Sequence, residues 1–172
     1  MRAASLLLLS ACAAGAPRGG PLVDHARWVA GDDAVDPFPD HRPADDACPE
    51  GSFYEEYGGL EIDAARCRYL VITQPSLVRV AAGDAIELYA YHAALVPPEG
   101  ETGATAHVAV ALDGDVVWEV TVPLPAQPEP WPVSVTAARD VDAGAPVVIH
   151  LHNHGANKYT FLGVEAVPPG AE

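Results

Sequence analysis

From Cys48 onward, apolar residues recur at every second position, and Gly, Asp and Pro interrupt them at intervals of roughly eight to twelve residues. This pattern constrains the fold more than any other feature of the chain. A period of two places alternate side chains on opposite faces of an extended strand, and turn residues at that spacing keep each strand short. No stretch sustains a 3.6-residue period, so helices are minor. The pattern predicts strands over roughly 59–63, 68–73, 77–81, 85–95, 105–112, 115–122, 132–137, 146–152 and 159–167. Eight or nine such strands predict an all-β fold, an antiparallel β-sandwich of jelly-roll or immunoglobulin-like type. The sharpest local signal is Leu112-Asp113-Gly114-Asp115, a two-residue hairpin turn whose central positions both require positive φ. Strand order does not follow from the pattern.

Hydrophobic residues make up 49% of the 172 and charged residues 19%, enough apolar surface for one ordered core. Nine Lys and Arg stand against 24 Asp and Glu, a net charge of -15. That balance excludes nucleic acid as a partner, because phosphate-backbone binding needs clustered cations. It equally excludes adhesion to an anionic lipid surface through basic residues.

The N-terminus carries an address. Arg2 precedes the apolar run Leu6-Leu7-Leu8-Leu9, followed by Ser10, Ala11 and Cys12, the layout of a secretory signal and too short to span a bilayer. Leu9-Ser10-Ala11-Cys12 resembles a bacterial lipobox. The resemblance implies cleavage after residue 11 and lipidation of Cys12, so that the membrane is held by acyl chains alone. Ala13 rather than Asp follows the lipidated position, which by the same resemblance implies the outer membrane of a Gram-negative envelope, facing the periplasm or the surface. The plainer alternative is an ordinary signal cut in the Ala11–Ala14 region. The whole chain is similar in composition to small lipoproteins of high-GC Gram-negative bacteria.

Residues 12–46 read as an extended Pro/Gly/Asp-rich tether, since Pro17, Pro21, Pro37, Pro39 and Pro43 oppose long helices and paired strands. Residues 22–30, with Val23, Trp28 and Val29, either dock on the body or stay loose. Residues 47–172 form the sandwich domain. With Cys12 taking lipid, Cys48 and Cys67 remain as an even pair, and an oxidising compartment makes them a disulfide.

The densest chemistry lies in His150-Leu151-His152-Asn153-His154. On a strand, Val147, Ile149 and Leu151 share one face, the core side, and His150 and His152 share the other. His154 falls where Asn153, Gly155 and Asn157 signal a turn. A His-x-His pair on one strand face can chelate zinc or copper with help from a neighbouring strand. Gly144, His150 and His152 are similar in spacing to the opening of the first cupin motif, which implies a metal-binding jelly roll. Ala156 and Asn157 stand where that motif carries its Glu, and no second motif follows. His92 lies on the inner side of its strand with Ile86, Leu88 and Ala90. His107 falls, by counting around the Asp113-Gly114 turn, opposite Val120 on the same face as Trp118, and could face His92 if strands 85–95 and 105–112 form one hairpin.

Tyr89, Tyr91, Trp131 and Tyr159 are the aromatic candidates for stacking on a sugar. The chain contains no G-x-S-x-G elbow, P-loop, G-x-G-x-x-G or H-E-x-x-H motif. Two expectations follow. One is a non-catalytic envelope domain binding a carbohydrate or an envelope protein. The other is a copper or zinc protein, with a cupin-like metalloenzyme as one form of it, centred on His150 and His152.

Overall fold

The computed structural model describes residues 17–44 and 48–171. The signal and lipobox residues, Cys12 among them, lie outside that range. Among the described residues, eleven strands are divided between two sheets: β1 (Gly20–Pro21), β2 (Val29–Ala30), β3 (Phe53–Glu56), β4 (Gly59–Asp63), β5 (Tyr69–Pro75), β6 (Ala85–His92), β7 (Thr105–Leu112), β8 (Asp115–Pro123), β9 (Glu129–Thr136), β10 (Pro146–Asn153) and β11 (Lys158–Val167). One sheet has the order β3-β4-β11-β6-β9, with β1 beside β11; the other has the order β2-β5-β10-β7-β8. All pairings between strands are antiparallel.

The pairings β4 with β11, β5 with β10, β6 with β9 and β7 with β8 describe one long hairpin. Its two arms roll up so that β11 also meets β6 and β10 also meets β7. That is the connectivity of a jelly roll. Of the nine expected strands, eight are present. Residues 77–81 contribute only two isolated bridges, Arg79 to Arg18 and Val80 to Val141. The hairpin tip forms as the sequence requires, with φ of 52° at Asp113 and 84° at Gly114. Asp113 is also held from outside, by Arg139 at 2.7 Å.

The core lies between the sheets. Val147, Ile149 and Leu151 point inward and are fully buried, as do Leu60, Ile62 and Phe161 from the facing sheet. The β7–β8 ladder carries a bulge between Val110 and Ala111. An extra residue in one strand exchanges the faces of everything beyond it. Val110 therefore opposes Trp118, and His107 opposes Thr121. His107 lies on the outer face of its sheet, not on the core face with Trp118 as simple counting around the turn expects. The hairpin that would pair His92 with His107 does not exist either, because β6 and β7 belong to different sheets.

The N-terminal segment is not an extended tether over its described length. Gly20–Pro21 and Val29–Ala30 each add a short strand to a sheet. Leu22, Val23 and Trp28 are buried in the core cluster, so residues 22–30 dock. Cys48 and Cys67 form the expected disulfide. After β2, the described residues up to Ala44 cross the outer face of the β5–β10–β7 sheet. There Val35 packs on Tyr69, Val71, Ala111 and Val148. Apolar residues on both faces of these central strands explain the docking, since an uncovered outer face would leave that surface in water.

A candidate three-histidine metal centre

Beneath this crossing segment, the outer face of the sheet carries a row of polar residues. Tyr69 comes from β5, His150 and His152 from β10, and His107 from β7, with His152 directly opposite both Tyr69 and His107 in the ladders. The segment adds Asp36, Phe38 and His41. Its local shape follows from its residues. Asp36 accepts the backbone N–H of Phe38 at 2.9 Å, a side-chain turn of the kind Asp favours. Pro39 then opens a single 3-10 turn, Pro39–His41, closed by the His41 N–H to the Phe38 carbonyl at 2.9 Å. Phe38 wedges against His107 and His150, with ring centroids 4.7 Å and 5.1 Å away.

His41, His107 and His150 converge. One potential ligand nitrogen from each lies within 4.8 Å of the others. Each ring also has one buried nitrogen without a hydrogen-bond partner among the described residues: Nδ1 of His41, Nδ1 of His107 and Nε2 of His150. Their other contacts set the tautomers of two rings. His150 Nδ1 lies 2.9 Å from Asp36 Oδ1, with both side chains fully buried. Nδ1–H donating to that carboxylate leaves the lone pair on Nε2. His107 Nε2 lies 3.2 Å from Glu119 Oε2, which in the same way leaves the lone pair on Nδ1. A carboxylate behind the imidazole is the arrangement that orients metal-ligating histidines and raises their basicity.

Asp36 is held in turn. The Tyr69 hydroxyl donates to its Oδ2, and burial together with Asp36 pushes that hydroxyl above the ordinary tyrosine range, so it stays protonated. The Arg42 guanidinium sits 4.6 Å from the Tyr69 ring centroid. Burial lowers His150 to about 4, against the opposing pull of Asp36. His152 is lowered as well, by burial first and then by His154, His41 and His107. Both are therefore neutral imidazoles near pH 7, the form that can donate a lone pair.

The residues singled out in the sequence divide as follows. His150 and His107 lie in the cluster, and His152 and His154 extend from it, their rings 4.6 Å apart. His150 and His152 are on the non-core face as expected, yet His150 is 0% exposed because the crossing segment covers it. His92 is inside the sandwich, with Nδ1 on the Ala93 carbonyl at 2.8 Å and its ring against Trp131. It cannot join the others, which stand on the outer face of the opposite sheet. Trp131 and Tyr159 are likewise core residues, packed with Trp118 and His92, and Tyr159 donates to Asn153 at 2.9 Å. They cannot serve a surface sugar. Tyr89 and Tyr91 remain on the outer face of β6, 59% and 39% exposed.

His41 and Asp36 are missing from the sequence reading. Both sit in what reads as a featureless linker, more than thirty residues from any partner on the sheet and more than a hundred from His150. The one local hint is Asp36-Pro37-Phe38-Pro39, an apolar ring between two prolines that a solvated tether does not need.

No family model matches this chain, and neither does any curated protein. Among solved structures, the N-terminal cellulose-binding domain of a Cellulomonas fimi β-1,4-glucanase C is 14% identical over 90% of this chain and 95% of its own, with a TM-score of 0.42. The module TmCBM61 in complex with β-1,4-galactotriose is 9% identical over 87% of this chain and 98% of its own, at 0.41. A CBM4 structure is 16% identical over 69% and 87%, at 0.39. Likeness at this level carries no argument about fold or ligand, and the jelly-roll architecture rests on the strand order itself.

Proposed function

We propose that this protein is a metal-binding module of the bacterial cell envelope, holding one zinc or copper(II) ion through His41, His107 and His150. The observation that carries the reading is the set of three converging imidazoles, each with a buried nitrogen that lacks a partner. Buried polar atoms in folded proteins are almost always satisfied, so three orphans at one point need a common explanation. An all-imidazole donor set suits zinc or copper, and Asp36 and Glu119 supply the outer hydrogen bonds such sites use. Zinc–nitrogen bonds of about 2.0–2.1 Å require the three nitrogens to draw together modestly from their present spacing. The net charge of -15 favours capture of a cation. Attachment to the membrane through a lipidated Cys12 belongs to the same proposal.

The test is metal analysis and calorimetric titration of protein produced without a polyhistidine tag. One zinc or copper ion per chain is expected, lost in His150→Ala. Protein that takes up neither ion, or a variant that binds as wild type does, overturns the reading. Cys12→Ser is expected to move the protein from membranes to the soluble fraction.

A second reading is favoured by one observation. Tyr89 shares a shallow recess with Glu87, Leu162 and Glu165 on the outer face of the other sheet. Exposed rings beside carboxylates can stack on a pyranose and bind its hydroxyls. Gel retardation by soluble polysaccharides, lost in Tyr89→Ala, tests it independently of metal.

A further inference from the structure

The three ligand nitrogens are buried, and an ion bound there needs a route in. His154 is exposed, and His152 is half-buried. His107 has 14% of its side chain exposed, and His150 has none. Ring centroids step inward from His154 to His152 over 4.6 Å, and from His152 to His41 over 5.8 Å. His41 in turn lies 5.1 Å from His107 and 5.5 Å from His150. His154 opens on a surface recess shared with Glu101 and Thr105. Neither His152 nor His154 is within reach of all three inner nitrogens, so neither is a member of the buried set.

We infer that His154 and His152 form a surface entry site, through which a divalent transition-metal ion passes to the three inner histidines. This inference rests on the metal-centre reading and adds a path to it. The Glu101 carboxylate and the two imidazoles first take the ion from water. An inner imidazole nitrogen then replaces an outer one, and the ion keeps its charge and oxidation state throughout. Each exchange breaks one metal–nitrogen bond and forms another, so no step leaves the ion bare.

Such a relay changes rates rather than affinity. It raises the effective concentration of the ion beside the inner ligands, and because it serves entry and exit alike, both rates depend on it equally. The experiment follows zinc loading of the full chain by stopped flow, from a chromogenic zinc chelator, and measures the dissociation constant separately at equilibrium. His154→Ala is expected to slow loading and release on the order of tenfold, leaving the dissociation constant unchanged. His154→Gln, which keeps the size and polarity without a comparable ligand, should behave as His154→Ala does. His25→Ala removes an imidazole outside the cluster and is expected to load at the wild-type rate. Unchanged kinetics in both His154 variants overturn the entry site while leaving the buried centre intact. A weakened dissociation constant with normal loading also overturns it, because His154 would then be a ligand. Wild-type protein that binds no zinc at equilibrium overturns the centre and the path together.

Discussion

Replacing Asp36 by Asn tests the logic of the site without removing a metal ligand. The carboxylate accepts three hydrogen bonds, from Phe38 N–H, from the Tyr69 hydroxyl and from His150 Nδ1. Asn has one acceptor oxygen and an amide that only donates. If the oxygen stays on Phe38 and His150, the Tyr69 hydroxyl loses its acceptor. If the amide turns towards His150, it donates to Nδ1, and the imidazole proton must move to Nε2, where it blocks the metal. Both arrangements cost stability, because a hydrogen bond to a buried charged group contributes roughly 1.5–3 kcal/mol. For a chain of this length that is a fall in Tm of roughly 3–12 °C in metal-free protein. Zinc affinity should fall by about 10–100-fold, the usual loss when an outer partner of a metal-bound histidine is removed. Differential scanning calorimetry with and without zinc, together with a chelator competition titration, measures both quantities. A variant with wild-type zinc affinity would refute the assignment of Asp36 as the group that sets the His150 tautomer. A variant with wild-type metal-free stability would show that the three bonds are not formed together.

Two further outcomes follow from the fold. Asp84 is buried, accepts from Arg18 and from the Ala81 N–H, and is held below the usual carboxylate range chiefly by Arg18. Its contribution is present above the unfolded carboxyl pKa of about 3.9 and is lost as pH falls through the lower folded value. Urea titrations should therefore find Asp84→Asn less stable than wild type at neutral pH, with the gap closing in acid. A gap that widens in acid would contradict the sign. On β10, Leu151 is fully buried, so Leu151→Ala should cost on the order of 2–5 kcal/mol in the same assay. A loss within about 0.5 kcal/mol, the size expected of a surface change, would mean that the strand presents its other face to the core.

The alternation of apolar residues was sufficient to read most of this fold from sequence. Val147, Ile149 and Leu151 could only turn inward together, because a strand has two faces and one must be dry. The Asp113-Gly114 turn and the Cys48–Cys67 bridge were legible for similar reasons, being local backbone chemistry in one case and the arithmetic of leftover thiols in the other. His150 and His152 were correctly set on the face away from the core. What lies over that face was not legible, because a single strand carries no record of a segment more than a hundred residues away. Only the packed structure brings Asp36 and His41 onto β10, and in doing so it makes a buried cluster of what alternation alone describes as solvated histidines. The bulge beside Val110 shows the same limit on a smaller scale. One extra residue in β8 puts Trp118 opposite Val110, on the face away from His107, and counting residues around the turn cannot reveal it, since a bulge is settled by how two strands pack rather than by either sequence alone. Local periodicity determined the strands, their faces and the turn; the crossing of the N-terminal segment and the register of one hairpin, both products of long-range packing, decided where a metal could bind.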